Sequence, residues 1–418
     1  MLSGPYQAIW QTPPSQRTRG QPPTRRKAVA GVALKGALPV LRQACCGVAA
    51  LLCWTCTQAV ADAAPYSGKM NISCFVYRDI NRNGTYDIAD RPYSGLPFQL
   101  HRPDKGRRNG RSNISGFANF KMSLNNPEFP IDTPGQYQFI AQPPAGWQIT
   151  SANRKQTTTI RELQGSPGGL VATKTLEPLG IAPVLFVRGT IEDETVAGLT
   201  AVSSTGERIP VKVRPDGAYI FKAGRGKWEL ELTLEDGDTR RRMVQVGDYP
   251  VLLSRWSTRA DYVTATDDQG IDVVRFDDLT TSDTLYELPN GYAGLNWRNW
   301  ISTHQKFYSG DGYINNTTSG EYLIYNSSGH PAEISSEQAF DFYGAYLGVA
   351  WPRAEQGDIY IKAWRGGDLA YEDSLRASRL GPIYFAAQYR GVTRIEFRTE
   401  KYWQVVLDDV RIAVPAPG

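Results

Sequence analysis

Histidine is almost absent from this 418-residue chain, which holds three: His101, His304 and His330. They lie far apart, and none has a partner at metal-ligand spacing, so a zinc centre has no evident ligand set. Cysteine is scarce where it would matter. Four of the five, Cys45, Cys46, Cys53 and Cys56, fall in the first 56 residues, which leaves Cys74 alone downstream. One thiol closes no internal disulfide. In "NISCFVY" Cys74 alternates with Ile72 and Val76, the place of a small buried hydrophobe. After residue 60 no apolar run approaches the roughly 18 residues of a membrane span. Gly-x-Ser-x-Gly elbows and phosphate-binding loops are missing too. Paired carboxylates, which any β-sandwich of this size offers, leave glycoside hydrolysis open.

Acid is missing from the first 43 residues, which carry Arg17, Arg19, Arg25, Arg26, Lys27, Lys35 and Arg42. An apolar run, "ACCGVAALLCW", and the small-residue stretch "AVADAA" follow. A basic region, a short apolar core and an Ala-x-Ala site read as an export signal over residues 1–63, with Ala61 and Ala63 before the cut. Its removal takes seven of the 46 basic residues and one of the 42 acids, leaving 39 against 41, a net charge of −2. The basic balance of the chain therefore belongs to its leader, and nothing in the remainder points to nucleic acid. The expected location is extracellular, at the cell surface or in the periplasm, with no membrane span in the mature chain.

What remains is rich in turns and rings: 40 Gly, 27 Pro and 11% aromatics. That mixture favours short strands over helices. Its most ordered stretch is "DINRNGTYDIAD". Asp79, Asn81, Asn83, Thr85, Asp87 and Asp90 occupy positions 1, 3, 5, 7, 9 and 12 of a loop, with Gly84 at position 6. This is the oxygen-donor ladder of a calcium loop, the glycine permitting the sharp turn. A plain polar turn is the competing account, since Asn, Asp and Gly are ordinary turn residues. The flanks have period two: Ile72, Cys74 and Val76 before, Leu96, Phe98 and Leu100 after. Strands on both sides make the loop a structural clamp, not a helix-opening sensor.

"VYRDINRNGTYDIADRPYSGLPFQL", "SNISGFANFKM" and "PGQYQFIAQPPAGWQIT" together resemble the B-type repeat domain of serine-aspartate-repeat surface adhesins, over about residues 68–178. The resemblance implies a prealbumin-like sandwich that binds calcium through Asp79, Asn81, Asn83, Asp87 and Asp90, with Thr85 giving its carbonyl. Asp90 departs from the pattern, where Glu is usual. A second module repeats the signature: "SGFANFK" at 115–121 returns as "DGAYIFK" at 216–222, and "PGQYQF" at 134–139 as "RGKWEL" at 225–230. It is similar to small prealbumin-like modules of secreted proteins, without the ladder. From about residue 261 the order "FDDL", "FDFYGAYLGVAW", "VTRIEF", "LDDVRI" resembles galactose-binding-like jelly rolls, many of which are carbohydrate-binding modules.

The expected architecture is all-β: sandwiches over 64–178 and 179–257, then a jelly roll over 258–418. In jelly rolls of this resemblance the terminal strands lie side by side and often share a calcium, which nominates Asp277, Asp278, Asp408 and Asp409 as a second site. Strand-end solvation explains the same acids. The segment "NWRNWISTHQKFYSGDGY" offers rings at Trp297, Trp300, Tyr308 and Tyr313 and polar groups at Arg298, Asn299 and Asp311, which suits a shallow sugar site. Core filling is the rival account for those rings. Trp351 and Trp364, inside apolar strands, read as core. The functional expectation is an exported, non-catalytic protein in which a calcium-stiffened stalk presents an adhesive jelly roll to a glycan or to a surface or matrix protein. The alternatives are a purely structural surface-assembly protein and a secreted carbohydrate-active enzyme.

Overall fold

Alternation decides the first strand. In Asn71–Arg78 every second side chain from Ile72 is buried, and Val76, Tyr77 and Arg78 are buried consecutively where the strand enters a junction. The computed structural model describes residues 71–192, 195–257, 262–263, 270–280, 284–350, 356–401 and 404–415. The export segment 1–63 and Trp351 lie outside the described residues. Among the described residues strands dominate, with one short α-helix at Asp311–Asn316.

Asn71–Arg78 pairs antiparallel with Phe117–Lys121 and parallel with Leu179–Pro183, which in turn pairs with Trp147–Ile149. The facing sheet runs Arg107–Arg111, Pro97–His101, Gly135–Ala141, Lys155–Glu162, Leu170–Ala172. Ile72, Cys74, Phe98, Phe120, Phe139 and Ile181 fill the space between. Cys74 is fully buried and free, the small apolar role its neighbours predict. Leu179–Pro183 completes this first sandwich, so its sheet runs past the boundary expected at 178.

The repeated signature is a repeated structure. Phe117–Lys121 and Ala218–Lys222 each pair antiparallel with the opening strand of their own module. The glycine ahead of each has positive φ, 80° at Gly116 and 76° at Gly217. A Cβ there would lie 2.5 Å from the Val76 carbonyl oxygen in one case and 2.1 Å from that of Ile191 in the other. Only glycine satisfies both the turn and the close approach.

The second sandwich sets Arg208–Val211, Val196–Ser203, Gly226–Leu234 and Thr239–Val246 against Ala218–Lys222, Phe186–Glu192 and Val251–Leu253. The last of these pairs parallel with Ile383–Ala386, Leu252 opposite Phe385. One sheet therefore runs from the second sandwich into the jelly roll, and Ala386 sits in the second module's core. In the jelly roll the long strand Ala332–Val349 pairs with Ile383–Ala386, Tyr389–Thr399 and Val405–Ala413. Asp272–Val274 lies antiparallel to Val405–Ala413, Val273 opposite Arg411, as expected for terminal strands. Gln356–Arg365 and the edge strand Asp368–Ser378 extend the sheet.

The stalk expectation is corrected. The first sandwich interlocks with the others: Arg78 donates to the Ile314, Asn315 and Thr317 carbonyls of the jelly roll, and the Ser94 hydroxyl donates to Asp311 at 2.5 Å. A buried guanidinium spending its donors on another module ties the two together in place of a linker.

Candidate functional site

The loop begins where Asn71–Arg78 ends. Asp79 is buried, and its carboxylate accepts the backbone N–H of Asn83 at 3.1 Å and of Gly84 at 2.8 Å. Asp90, also buried, accepts from Ile80 at 2.9 Å and Asp87 at 3.0 Å. The amides of Asn81 and Asn83 both reach one oxygen of Asp87, at 2.5 and 3.1 Å. Thr85 donates its N–H to the Asn83 side chain at 2.7 Å. Gly84 takes φ 77°, and a Cβ there would meet the Thr150 carbonyl oxygen at 2.9 Å. The glycine at the middle of the ladder is thus required by conformation and by space.

The electrostatics are one-sided. Burial pushes the Asp90 carboxyl up, backbone N–H groups oppose this, and the charges of Asp87 and Asp79 add to the rise. Burial, with Asp79, Asp90 and Asp87 behind it, pushes the Tyr77 phenol up to about 12. Among the described residues no Lys or Arg forms an ion pair with any of the three carboxylates. Arg82 instead donates to the Pro183 carbonyl at 2.8 Å. The donor set is all oxygen and rich in carboxylate, which fits a hard divalent cation. Among the described residues no three His, Cys, Asp or Glu side chains gather closely enough to hold a metal by themselves. An ion here would therefore draw on the Asn81 and Asn83 side chains and the Thr85 carbonyl as well.

The second group of acids gathers in part. Asp408 is buried and accepts from the Thr318 N–H at 2.6 Å, the Thr318 hydroxyl at 2.9 Å and the Ser319 N–H at 3.2 Å. Asp409 accepts from the Thr318 and Ser319 hydroxyls at 2.8 and 2.6 Å, and Arg275 approaches it at 3.6 Å. Asp277 accepts from the N–H groups of Glu321 and Tyr322 at 2.6 and 3.2 Å. These three acids share one task, clasping the segment 318–322, and protein donors occupy them. Burial, then the Asp409 charge, pushes the Asp408 carboxyl well above the carboxylate range. Asp278 stands apart, accepting from the Tyr292 hydroxyl at 2.7 Å.

The aromatic segment is corrected residue by residue. Trp297 and Trp300 are core, 2% and 0% exposed. Each indole N–H has a carbonyl partner, Tyr292 at 2.8 Å and Glu333 at 3.1 Å, so full burial costs no unpaired donor. Tyr313 is buried, with Tyr308 stacked at 4.9 Å and Tyr325 edge-on. Asn299 braces a turn, donating to the His330 and Pro331 carbonyls at 3.2 and 3.0 Å. Asp311 holds Ser94 and lies 3.5 Å from Arg379. Of the seven residues expected to contact sugar, Arg298 alone is exposed, 3.4 Å from Glu333. The stretch read as a sugar site is core and module junction.

Trp364, expected in the core, instead stands half-buried on an outer sheet face together with Tyr360. Along Gln356–Arg365, Ile359, Ile361 and Ala363 point inward, and Tyr360, Lys362 and Trp364 outward and half-buried. Across the ladder Tyr360 faces Arg398, Lys362 faces Glu396, and Trp364 faces Arg394. The Arg394 guanidinium lies 3.7 Å from the Trp364 ring centroid, and that of Arg398 lies 5.7 Å from the Tyr360 centroid. "DIYIKAWRGG" carries the signal that finds them, strict alternation that puts Tyr360 and Trp364 on one face. Among the described residues no helix is long and apolar enough to cross a membrane.

No protein-family model matches the chain, and no curated protein matches it. Similar solved structures include the TIE protein of Bacillus anthracis, 13% identical, with 77% of this chain and 51% of that chain covered and a TM-score of 0.21. Another is the CBM51-2 and INT domains of Clostridium perfringens ZmpB, 11% identical, covering 54% and 46%, with a TM-score of 0.23. A third comes from a study of carbohydrate-binding modules of the β-sandwich superfamily, 11% identical, covering 71% and 92%, with a TM-score of 0.14. The chain spans about half the length of the first two. Likeness of this degree carries no argument about the site.

Proposed function

We propose that the chain is an exported, non-catalytic binding protein of the cell surface or matrix, whose jelly roll contacts glycan and whose loop 79–90 holds Ca²⁺ where the modules meet. The observation that carries the reading is the outer face of Gln356–Arg365. Tyr360 and Trp364 stand about 13 Å apart along one strand, with Lys362 between them and Arg394, Glu396 and Arg398 opposite. Rings stack on the C–H faces of sugars, and guanidinium, ammonium and carboxylate groups read the hydroxyls. Rings spaced along one strand suit successive units of a polymer.

The calcium half is supported by three clustered carboxylates with no cationic partner among the described residues. Asp79, Asp87 and Asp90, the oxygens of Asn81 and Asn83 and the Thr85 carbonyl would hold the ion. It would supply the positive charge that these carboxylates lack. Residues around the loop also bind outward: Arg225 of the second sandwich donates to the Ile80 carbonyl, and Arg91 donates to the Gly320 carbonyl of the jelly roll at 2.7 Å. Ordering the loop thereby stiffens the junction. The likeness of the first sandwich to serine-aspartate-repeat B domains belongs to this proposal.

A neutral-glycan array probed with the full chain, in calcium and after chelation, tests both halves. Retention lost in Trp364→Ala and a thermal transition lowered by EDTA are expected. An array with no glycan retained removes the first half, and an unchanged transition removes the second.

A further inference from the structure

A cavity of about 410 Å³ opens between the second sandwich and the edge of the jelly roll. Its floor is one row of the sheet's outer face: Ile220, Arg188 and Leu252, aligned by strand register. Lys212 and Arg214 stand on one wall and Arg376 on the other. Four cations line this space with no carboxylate among its lining residues. Arg214 is paired with Asp216 at 3.0 Å, both largely in water, an arrangement of little strength. Among the described residues Arg188, Lys212 and Arg376 have no ion-pair partner.

Arg188 is the unusual member. It is half-buried, its Nε is shielded from solvent without a hydrogen-bond partner, and one Nη donates to the Arg376 carbonyl at 3.3 Å. Burial alone pushes its pKa down. This half-buried guanidinium has the Phe186 ring at 6.0 Å but no acid beside it among the described residues, so an anion in the cavity would supply the missing counter-charge. The apolar floor says what else the anion carries. Ile220 is 60% exposed, and Leu252 lies level with it across Arg188, so the ligand brings a C–H face as well as a charge. The near-neutral balance outside the leader gives no long-range field for a densely charged polyanion such as nucleic acid.

We propose that this groove binds an acidic saccharide, a sugar ring bearing a carboxylate or a sulfate ester, with Arg188 and Arg376 forking the anion and Ile220 and Leu252 under the ring. Guanidinium matches both groups through paired N–H donors. The groove's Ser374 and Arg376 share the outer face of Tyr360 and Trp364, opposite Tyr360 and Asp358, but Arg376 lies about 20 Å from Trp364 along the strand pair, and the site does not depend on the calcium loop. It stands even if neutral-glycan contact fails.

The test is calorimetric titration of the full chain with oligogalacturonate, with a sulfated oligosaccharide and with a neutral oligosaccharide of equal length. In Trp364→Ala, which lacks the neutral-glycan contact, the acidic probes should bind and the neutral one should not, with affinity falling as salt is raised. Arg188→Gln should weaken binding at least about tenfold, the loss of a charge-assisted hydrogen-bond pair. Arg376→Gln, at an exposed position, should weaken it with the thermal transition unchanged, which keeps the test valid if Arg188→Gln folds poorly. Trp364→Ala should leave it intact, and EDTA should not abolish it. The carboxylate and sulfate arms identify the anion. Equal binding of the neutral probe to Trp364→Ala, equal binding of a single-stranded oligonucleotide, no binding of either acidic probe, or unchanged affinity in Arg376→Gln would overturn the assignment.

Discussion

Arg78 donates a hydrogen bond of 2.9 Å to the phenol oxygen of Tyr249, across the boundary between the first and second sandwiches. The same guanidinium reaches the Asn315, Ile314 and Thr317 carbonyls of the jelly roll at 3.0, 3.3 and 2.9 Å. These carbonyls belong to the last turn and end of the helix Asp311–Asn316, where backbone acceptors lack intrahelical partners and the helix end is negative. Arg78 is 1% exposed and forms no ion pair among the described residues. One side chain from the first module thus satisfies the other two.

Replacing Arg78 should uncouple the modules. Arg78→Met leaves the phenol and three buried carbonyls without their donor and should cost about 3 kcal/mol or more. Denaturant unfolding of the parent should show one cooperative transition, and Arg78→Met should separate an early transition of the first sandwich. A variant that unfolds in one step at the parental midpoint would show that the junction is held elsewhere.

Loop 79–90 makes a prediction with opposite signs in two buffers. Without Ca²⁺ the three acids repel, and Asp87 adds to the rise of the Asp90 pKa. Asp87→Asn removes that repulsion, so in EDTA the variant should melt at or slightly above the parent. With Ca²⁺ at about 100 times its dissociation constant the parent should gain about 2.7 kcal/mol, and the variant should lose most of that gain. Calorimetric scans in both buffers read the difference. A calcium-induced shift equal in both proteins would mean that the ion binds elsewhere.

Asp373 gives a pH dependence away from the loop. It is buried, accepting the Arg255 N–H and the Tyr389 hydroxyl, each at 2.7 Å, with Arg242 and Tyr262 also packed nearby. Burial is the largest cause acting on it and raises its carboxyl pKa, against the lowering by Tyr389, Arg255 and Arg242. A raised folded pKa contributes stability that is full below the unfolded value of about 3.9 and is lost as pH rises through the folded value. Unfolding free energy of the parent relative to Asp373→Asn should therefore fall as pH rises from about 4 through that value. A difference that is flat or rises over this range would refute the assignment.

Period and spacing made the strands, the burial of Cys74 and the paired turns at Gly116 and Gly217 legible in the sequence. The first module's end was not, because "LGIAP" is buried at every position and pairs in parallel with a strand about a hundred residues earlier. Nothing local marks such a partner. The orientation of Trp297 and Trp300 was hidden for another reason. Side chains three apart on a flat strand face opposite sides, but Asn299 between them has φ 63°, and this kink turns both rings into the core. The ladder of oxygens was readable as spacing, whereas its place at the junction depends on Arg82, Arg91 and Arg225 meeting carbonyls far along the chain.

Two tryptophans separate core from contact. Trp300 packs 5.5 Å from Phe397 with its N–H on the Glu333 carbonyl, and truncation there removes a filled volume that the sheet cannot close. Trp300→Ala should cost about 3–5 kcal/mol and should reduce glycan retention only in proportion to the unfolded fraction. Trp364 rests under Arg394 on the outer face, where water replaces the lost ring. Trp364→Ala should therefore stay within about 1 kcal/mol of the parent and abolish neutral-glycan retention in the folded state. Arg394→Lys provides the control, since it keeps the charge but loses the planar stack. Weaker binding with parental stability in that variant would show that sugar contacts the ring and the guanidinium together. Parental retention in Trp364→Ala would place the glycan contact on another face.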